Sequence, residues 1–538
     1  MSTQPQTGQG NAQTITTHPV LGVVGVLLGA MISTCQGRLL SVGLADLRGA
    51  MHLGFDEASW MGTAFNAAMM FIGPFSVYLG GLLGPRRVLL SAAVMFTVLM
   101  LVLPLVHGLT PVLIMLVLAG LTAGTFYPLT LSFVLRSLPM RYILLGIAMY
   151  AIDIVFTTDA STALEAFYMD HFSWRWIFWN GALLTPLMIA LLHYGMPHQP
   201  LPEADPGKPR VNWRGFLYAS LGAALIYIAL DQGQRLNWFH SGTIVACFVS
   251  GAFLAGAAAV RHFVLPNPLI NFQFLWRRNT LLLSLVLVSF RFVMLATVVS
   301  IPNFLGSIQG YLPLQTGRVL LWVGLPQFLL GLGAMALMRW VDPRLLLGAG
   351  FGLVGLACVM NAQLTSVWSG SSFVMTQVVM AVGLPLAFNA MVGSLILELI
   401  NTGALKRPID TLTFAGYFQT VRLMGGELGA TMMGRFLSVR EQFHSNILGL
   451  GVNSGSSITV HRLLALRAGI LSQSAGTATA RAGVLLAAEV KKQALTLAVA
   501  DSFALIACCC VVCLVAVSAM AKVPVPYRKV IAADAKAA

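Results

Sequence analysis

About fourteen apolar stretches, most of them 18 or more residues long, follow one another from Val20 to Met520 and are separated by short charged loops. A helix rises about 1.5 Å per residue, so each stretch can cross a hydrocarbon core about 30 Å thick. Hydrophobic residues make up 57% of the 538 residues and charged residues 9%, a balance typical of membrane proteins. The chain is therefore expected to be a polytopic membrane protein.

Each apolar stretch is expected to be a helix, because lipid offers the backbone no hydrogen-bond partners and a barrel would need alternating strands of about ten residues. The predicted spans lie near residues 20–44, 58–83, 88–106, 109–134, 142–168, 174–195, 214–231, 241–263, 280–306, 312–338, 344–362, 373–400, 411–438 and 497–521. The fold class is thus predicted to be all-α with 14 transmembrane helices. An even number of spans places both termini on one side.

Lysine and arginine residues indicate the orientation of the chain. If the N-terminus is cytoplasmic, 18 of the 32 lie on the cytoplasmic side, 9 on the outer side and 5 within spans. The positive-inside rule then predicts a multi-pass protein of a bacterial inner membrane with both termini cytoplasmic. The formal charge of +14 is accounted for by topology and by attraction to anionic lipid, which argues against nucleic-acid binding.

The sequence contains no motif whose surroundings support an enzyme active site, a cofactor site or a metal site. The GxGxxG pattern at Gly350–Gly355 lies inside a predicted span with no strand before it, so close helix packing is the better interpretation. The chain contains no Walker A sequence, so it is not expected to encode an ATP-driven pump. His193 and His198 share a loop without an HExxH motif, and a solvated pair is the simpler interpretation. The chain is expected to be no enzyme and to need no cofactor or metal.

Three carboxylates fall within the fifth predicted span. Counted from Arg141 at about 1.5 Å per residue, Asp153 lies ~18 Å deep, Asp159 ~27 Å and Glu165 ~36 Å. Only Asp153 is near the centre of the bilayer. At about 100° per residue the three side chains point about 120° apart, so they cannot all face one cavity. One can pair with a neighbouring helix while another is functional.

Buried cations match these acids: Arg38 in the first span, Arg291 in the ninth and Arg422 in the thirteenth, with Glu427 five residues after Arg422. Charged residues at membrane depth cost ~2.5–3.5 kcal/mol each on insertion scales, so they usually face a partner or a cavity. Two interpretations stay open. The residues form internal ion pairs that fix helix packing, or they form a proton or substrate site in a water-filled cavity.

The stretch Ser173–Asn180 resembles the WRWIFxIN signature of fourteen-span exporters of the major facilitator superfamily, the EmrB/QacA type of drug:proton antiporter. Similar patterns occur at Leu230–Gly233 with Trp238, at Asn267–Ile270 with Phe274 and Arg278–Asn279, and at Arg422 with Gly425, Gly426 and Gly429. The resemblance covers almost the whole chain. It implies two six-helix bundles, with the seventh and eighth spans inserted between them, and alternating access around a central cavity.

The resemblance also implies a division of the chain. The expected parts are a cytoplasmic tail (1–19), an N-terminal bundle (20–200), a linker and two-helix insert (201–278), a C-terminal bundle (279–521) with a long outer loop (439–495), and a cytoplasmic C-terminal tail (522–538). The outer loop is expected to form an amphipathic cap on the outer surface.

Several family positions differ in this chain. Gln36 stands where relatives usually place an acid in the first span, and Gly81 stands where the loop after the second span usually has an acid. Gly84 and the basic pair Arg86 and Arg87 are kept. The resemblance therefore makes these three residues candidates for a cytoplasmic gating motif.

The expected function is secondary active export of small organic or amphipathic compounds, coupled to protons. Asp153 is the first candidate for proton carrier, with Asp159 and Glu427 as competitors. Gln36, Arg38, Arg291 and Arg422 are the candidates for the substrate cavity, where the arginines would bind an anionic group or tune the carboxylates.

Two other functions stay open: a proton-independent uniporter or exporter of anionic metabolites, and a non-transporting membrane sensor or scaffold. The expected partners are a small-molecule substrate, protons and membrane lipid. Some members of the family work with a periplasmic adaptor and an outer-membrane channel, and the resemblance leaves such partners open here.

Overall fold

A computed structural model of the chain describes residues 18–136, 138–196, 213–264, 277–403, 408–470, 475–522 and 525–537. Every regular element in these ranges is helical, which confirms the all-α fold class. The N-terminal tail up to residue 17, the linker at 197–212 and the motif at Asn267–Ile270 lie outside the described residues.

Fourteen long helices correspond to the predicted spans in the described ranges. They are α1 (Pro19–Val42), α2 (Phe55–Leu83), α3 (Pro85–Val102), α4 (Leu109–Arg136), α5 (Met140–His171), α6 (Trp176–Gly195), α7 (Trp213–Gly233), α8 (Gly242–Val264), α9 (Arg278–Val293), α10 (Pro313–Gly324, then Gln327–Met338), α11 (Pro343–Asn361), α12 (Val374–Asn401), α13 (Pro408–Leu450) and α14 (Ala475–Ser518). Helix α9 continues through π-helical turns at Ala296–Ser300 and Phe304–Ile308.

By length and composition, 13 helical regions of the described chain can cross a membrane. The exception among the fourteen is α13, which contains the predicted span 411–438. Arg422, Glu427 and Arg435 lie within that stretch and lower its hydropathy. Helix α13 nevertheless packs within the helical assembly, against α2, α9 and α14. Arg422 is buried in this assembly, Glu427 is half-buried and Arg435 is exposed.

The boundary between α2 and α3 follows from two residues. Gly84 has a φ of +86°, a left-handed conformation that only glycine adopts without strain. Pro85 occupies the first position of α3, where its missing N–H costs no hydrogen bond. The two residues together reverse the chain between antiparallel spans.

Helices α1–α6 pack on one another, and α9–α14 form a second group. The closest approach in the first group is between α2 and α4, where a Cβ on Gly120 would lie 2.2 Å from the carbonyl oxygen of Phe65. Small residues allow such contacts between membrane helices. The two groups meet where α5 packs against α10 and where α2 packs against α13.

The inserted pair α7 and α8 does not stand apart from the two groups. Helix α7 packs against α2 of the first group and also touches α13 of the second. Its last turns therefore reach the place where the two groups face each other.

The described residues of the segment 439–495 are largely helical. Helix α13 continues to Leu450, a short helix follows at Ser457–Ala468, and α14 begins at Ala475. Asp501 on α14 binds Arg440 Nε and His444 Nε2 of α13, both at 2.6 Å. These contacts tie the two long helices together.

Candidate functional site

A cavity of about 270 Å³ lies among α1, α2, α5, α7, α9 and α13. Its wall thus combines both helix groups and the insert. The charged residues on the wall are Arg38, Asp231, Arg291, Arg422 and Glu427. Four of these five were candidates from the sequence.

The cavity lies toward one face of the protein. Its residues come from the later part of α1, such as Ser41, and from the early part of α2, such as Ser59. Consecutive spans run in opposite directions, so both positions are near the membrane face opposite the start of α1. In the predicted orientation this is the outer face.

Asp153 lies behind the cavity wall and is 0% exposed. The hydroxyl of Thr34, which lines the cavity, donates to Asp153 Oδ2 at 3.2 Å. Arg422 Nη1 donates to the same hydroxyl oxygen at 3.1 Å. One threonine therefore connects a carboxylate of α5 to a guanidinium of α13.

Asp159 and Glu165 occupy different surroundings from Asp153. Asp159 is 0% exposed, and its charge acts on Arg38 of α1. Glu165 is buried and faces Asp46 in the short helix Leu44–Ala50. The three carboxylates thus point to three places, as the helical spacing predicts.

The structure does not bring Gln36 into the cavity. Its Nε2 donates to the backbone carbonyl of Ile177 at 3.1 Å, and its side chain lies against Gly181. Gln36 is 1% exposed. It fastens α1 to α6, whereas Arg38, two residues later, lines the cavity. The two candidates of the first span therefore differ in position because they leave the helix about 200° apart.

Asp231 is a cavity residue that the sequence reasoning missed. Its Oδ2 accepts hydrogen bonds from the hydroxyl of Thr63 and, at 3.1 Å, from Gln232 Nε2. Glu427 lies near it, close to the Tyr227 phenol, and accepts from the hydroxyl of Thr431 at 3.4 Å. The sequence does show that Asp231 is an acid at the end of the seventh predicted span. The family resemblance explains this residue only as part of the insert pattern, so it did not indicate a cavity role.

The gating-motif candidates lie at the opposite end of the spans. Arg86 is 6% exposed, and its Nη2 donates to the carbonyl of His193 at 2.7 Å. This bond connects the start of α3 to the end of α6. Arg87 is exposed, and Gly84 makes the turn described above.

In the described ranges, no group of three or more histidine, cysteine, aspartate or glutamate residues has an arrangement that could hold a metal ion. The polar groups of the cavity are guanidinium, carboxylate, hydroxyl and phenol groups. Such a set can bind charged organic groups and can hold or release protons.

Residues 26–430 match the family model described as Major Facilitator Superfamily. Curated relatives include the probable multidrug resistance protein EmrY of Escherichia coli (strain K12), 23% identical over 329 residues, which are 61% of this chain and 64% of that protein. They also include the multidrug export protein EmrB of Haemophilus influenzae, 21% identical over 458 residues, 82% and 84% of the two chains. The chain thus matches less than two thirds of the length of EmrY.

A further relative is the fatty acid resistance protein FarB of Neisseria gonorrhoeae, 22% identical over 60% of this chain and 63% of that protein. Among solved structures, the human organic anion transporter MFSD10 covers 91% of this chain and 99% of its own, with a TM-score of 0.53 and 11% identity. At that identity the likeness concerns the fold alone.

Proposed function

The chain belongs to the major facilitator superfamily, and from that premise we propose that it exports small organic or amphipathic compounds across a bacterial inner membrane in exchange for protons. It is a membrane transporter rather than an enzyme. The multidrug resistance and export functions in the names of EmrY and EmrB support export as the direction.

The observation that carries the proposal is the chain of contacts from Asp153 through Thr34 to Arg422. It joins α5 and α1 of the first helix group to α13 of the second. An ionised Asp153 attracts the Arg422 guanidinium across Thr34, because the surroundings have a low dielectric constant. Protonation of Asp153 removes that attraction and weakens a contact between the two groups. Such a contact can couple proton binding to the movement of one group against the other.

The contacts of Asp153, rather than its burial alone, support it as the carrier over its competitors. Asp153 and Asp159 are both 0% exposed, and a carboxylate without water is costly to keep charged. Only Asp153 is linked by hydrogen bonds to an arginine of the other group. Asp159 faces Arg38 of its own group and Thr297 of the second group, and Glu427 lies in the cavity beside Asp231. In the described structure, neither of these two acids is linked through a hydroxyl to an arginine of the other group.

A second function is favoured by one observation. Arg38, Arg291 and Arg422 all line the cavity, and three guanidinium groups favour an anionic substrate. A proton-independent uniporter or exporter of anionic metabolites would use this positive wall without Asp153. The fatty acid in the name of FarB is an anionic compound of this kind.

Transport in proteoliposomes tests the proposal. Asp153→Asn keeps the shape of the side chain but cannot titrate. We expect it to abolish transport driven by a pH gradient while leaving substrate binding largely intact. Glu441→Gln is the matched control, because this carboxylate lies on α13 and is not among the residues that line the cavity. Full gradient-driven transport by Asp153→Asn would transfer the role to Asp159 or Glu427, and transport that ignores the gradient in the unaltered protein would favour the uniporter.

A further inference from the structure

We propose that the cavity binds zwitterionic compounds, with the ammonium group of the ligand between Asp231 and Glu427 and its anionic group against Arg38, Arg291 and Arg422. This inference rests on the proposed export function and names its substrate class. It follows from the way the cavity separates its positive and negative groups.

The positive part of the wall has unused hydrogen-bonding capacity. Arg422 is 2% exposed, and its Nη2 has no hydrogen-bond partner in the described structure. The Nε atoms of Arg38 and Arg291 also lack partners there. Buried guanidinium groups without partners are costly, and a carboxylate or similar anion would satisfy them with charge-assisted hydrogen bonds.

Arg291 also lies close enough to Arg422 and to Arg38 to be repelled by both. The charge of Arg291 is acted on by Arg422 and by Arg38, and only partly offset by Asp153. Arg291 lies over Gly426, where an added Cβ would be 2.9 Å from its Nη2. An anion placed among these groups would relieve the repulsion.

The negative part of the wall pairs an acid of the insert with an acid of the C-terminal group. Asp231 and Glu427 are close enough for their charges to act on each other. The nearby Arg235 acts on Asp231, but it also binds Asp56 at 2.5 Å and Gln232 Oε1 at 2.6 Å. Two neighbouring carboxylates favour a shared cation. An ammonium group can donate three hydrogen bonds to such a pair.

The two parts do not neutralise each other. In the described ranges no salt bridge joins Arg38, Arg291 or Arg422 to Asp231 or Glu427. Arg422 and Glu427 are five residues apart on one helix, so they leave it about 140° apart and about 7.5 Å along its axis. A ligand with a single charge would satisfy one part and leave the other unpaired. A zwitterion satisfies both.

Binding measured by calorimetry in detergent tests the inference, with two scaffolds that each exist in three charge forms at pH 7. The first set is ciprofloxacin (zwitterion), its ethyl ester (cation) and its N-acetyl derivative (anion). The second set is tryptophan (zwitterion), tryptamine (cation) and N-acetyltryptophan (anion). We expect the zwitterion of at least one set to bind about tenfold more tightly than both of its single-charge forms, since each charge-assisted contact contributes about that factor.

Substitutions on the cavity wall show which residues bind each end of the ligand. Glu427→Gln and Asp231→Asn should each weaken the zwitterion and the cation about tenfold and leave the anion within about twofold. Arg291→Gln should weaken the zwitterion and the anion but not the cation. Glu441→Gln on the same helix should change none of the three. Unchanged binding of the anion by the acid variants also shows that these variants are folded.

Three results would overturn the inference: no form of either scaffold binds, a single-charge form binds as tightly as the zwitterion in both sets, or the acid variants leave all three affinities unchanged. The last result, together with a loss of proton release on ligand binding, would mean that the acid pair holds only a proton. Equilibrium binding needs no pH gradient. A failure of the proton antiport in proteoliposomes is therefore distinguishable from a failure of zwitterion recognition.

Discussion

The guanidinium carbon of Arg422 on α13 lies 4.0 Å from the centre of the Tyr127 ring on α4. A cation of the C-terminal helix group thus rests on an aromatic face of the N-terminal group. The Tyr127 hydroxyl is buried and has no hydrogen-bond partner in the described structure. The ring rather than the hydroxyl therefore makes the useful contact.

Replacement of Tyr127 separates these two contributions. Tyr127→Phe keeps the ring and removes an unsatisfied hydroxyl, so thermal unfolding should occur at an unchanged or slightly higher temperature. Tyr127→Leu removes the cation–π contact, which contributes about 0.5–2 kcal/mol, and should lower the unfolding temperature and the transport rate. Equal losses in the two variants would show that the hydroxyl matters after all.

Arg38 has two open roles, and the structure sharpens the test between them. It lines the cavity, and Asp159 is the acid whose charge acts on it. If Arg38 binds substrate, Arg38→Gln should weaken anionic and zwitterionic ligands far more than neutral ones, with little loss of thermal stability. If it is a structural partner, the same change should lower stability, and adding Asp159→Asn should restore part of it. Equal loss of affinity for anionic and neutral ligands would count against the substrate role.

Gly120 should tolerate no side chain, because an added Cβ would lie 2.2 Å from the Phe65 carbonyl oxygen. Gly120→Ala must push α2 and α4 apart, and overpacking of this kind typically costs about 1–3 kcal/mol. Gly256→Ala on α8 is the matched control, since nothing lies within 4 Å of its added Cβ. Thermal unfolding in detergent should show a clear loss for the first variant only. An equal response of both would mean that α2 and α4 are not tightly packed.

Both chain ends are expected in the cytoplasm, given the fourteen helices and the distribution of lysine and arginine. Fusion of a reporter that is active only in the cytoplasm should therefore give activity at either end. Activity at one end alone would mean an odd number of spans. The helix to suspect would then be α13, which is the least apolar of the fourteen regions.

Sequence periodicity and length were sufficient to locate the helices, because lipid permits almost no alternative to a helix in a long apolar stretch. The spacing of Asp153, Asp159 and Glu165 also predicted that they face different places. Each of these properties depends on a single helix, so the sequence alone is sufficient to predict it.

Contacts between different helices could not be predicted from the sequence in this way. Asp231 was predicted only as part of the insert pattern, because a single sequence does not show which helices lie beside α7. Gln36 looked like a cavity residue by analogy, but its orientation on α1 directs it to the Ile177 carbonyl. The segment 439–495 was expected only as an amphipathic cap, because the contacts that fix its helices, such as Asp501 with Arg440, are between distant segments.

Helix α13 is continuous from the cavity to Leu450, so a change in its tilt at Arg422 would move its far end. About 28 residues separate Arg422 from the end of the helix at Leu450, which at about 1.5 Å per residue is an arm of roughly 42 Å. A tilt of about 5° at the cavity would displace the far end by roughly 4 Å, and the tie from Asp501 to His444 would carry α14 with it. Ligand binding beside Arg422 would thus be visible from outside the membrane, as a change in the position of a helix tip that no ligand touches.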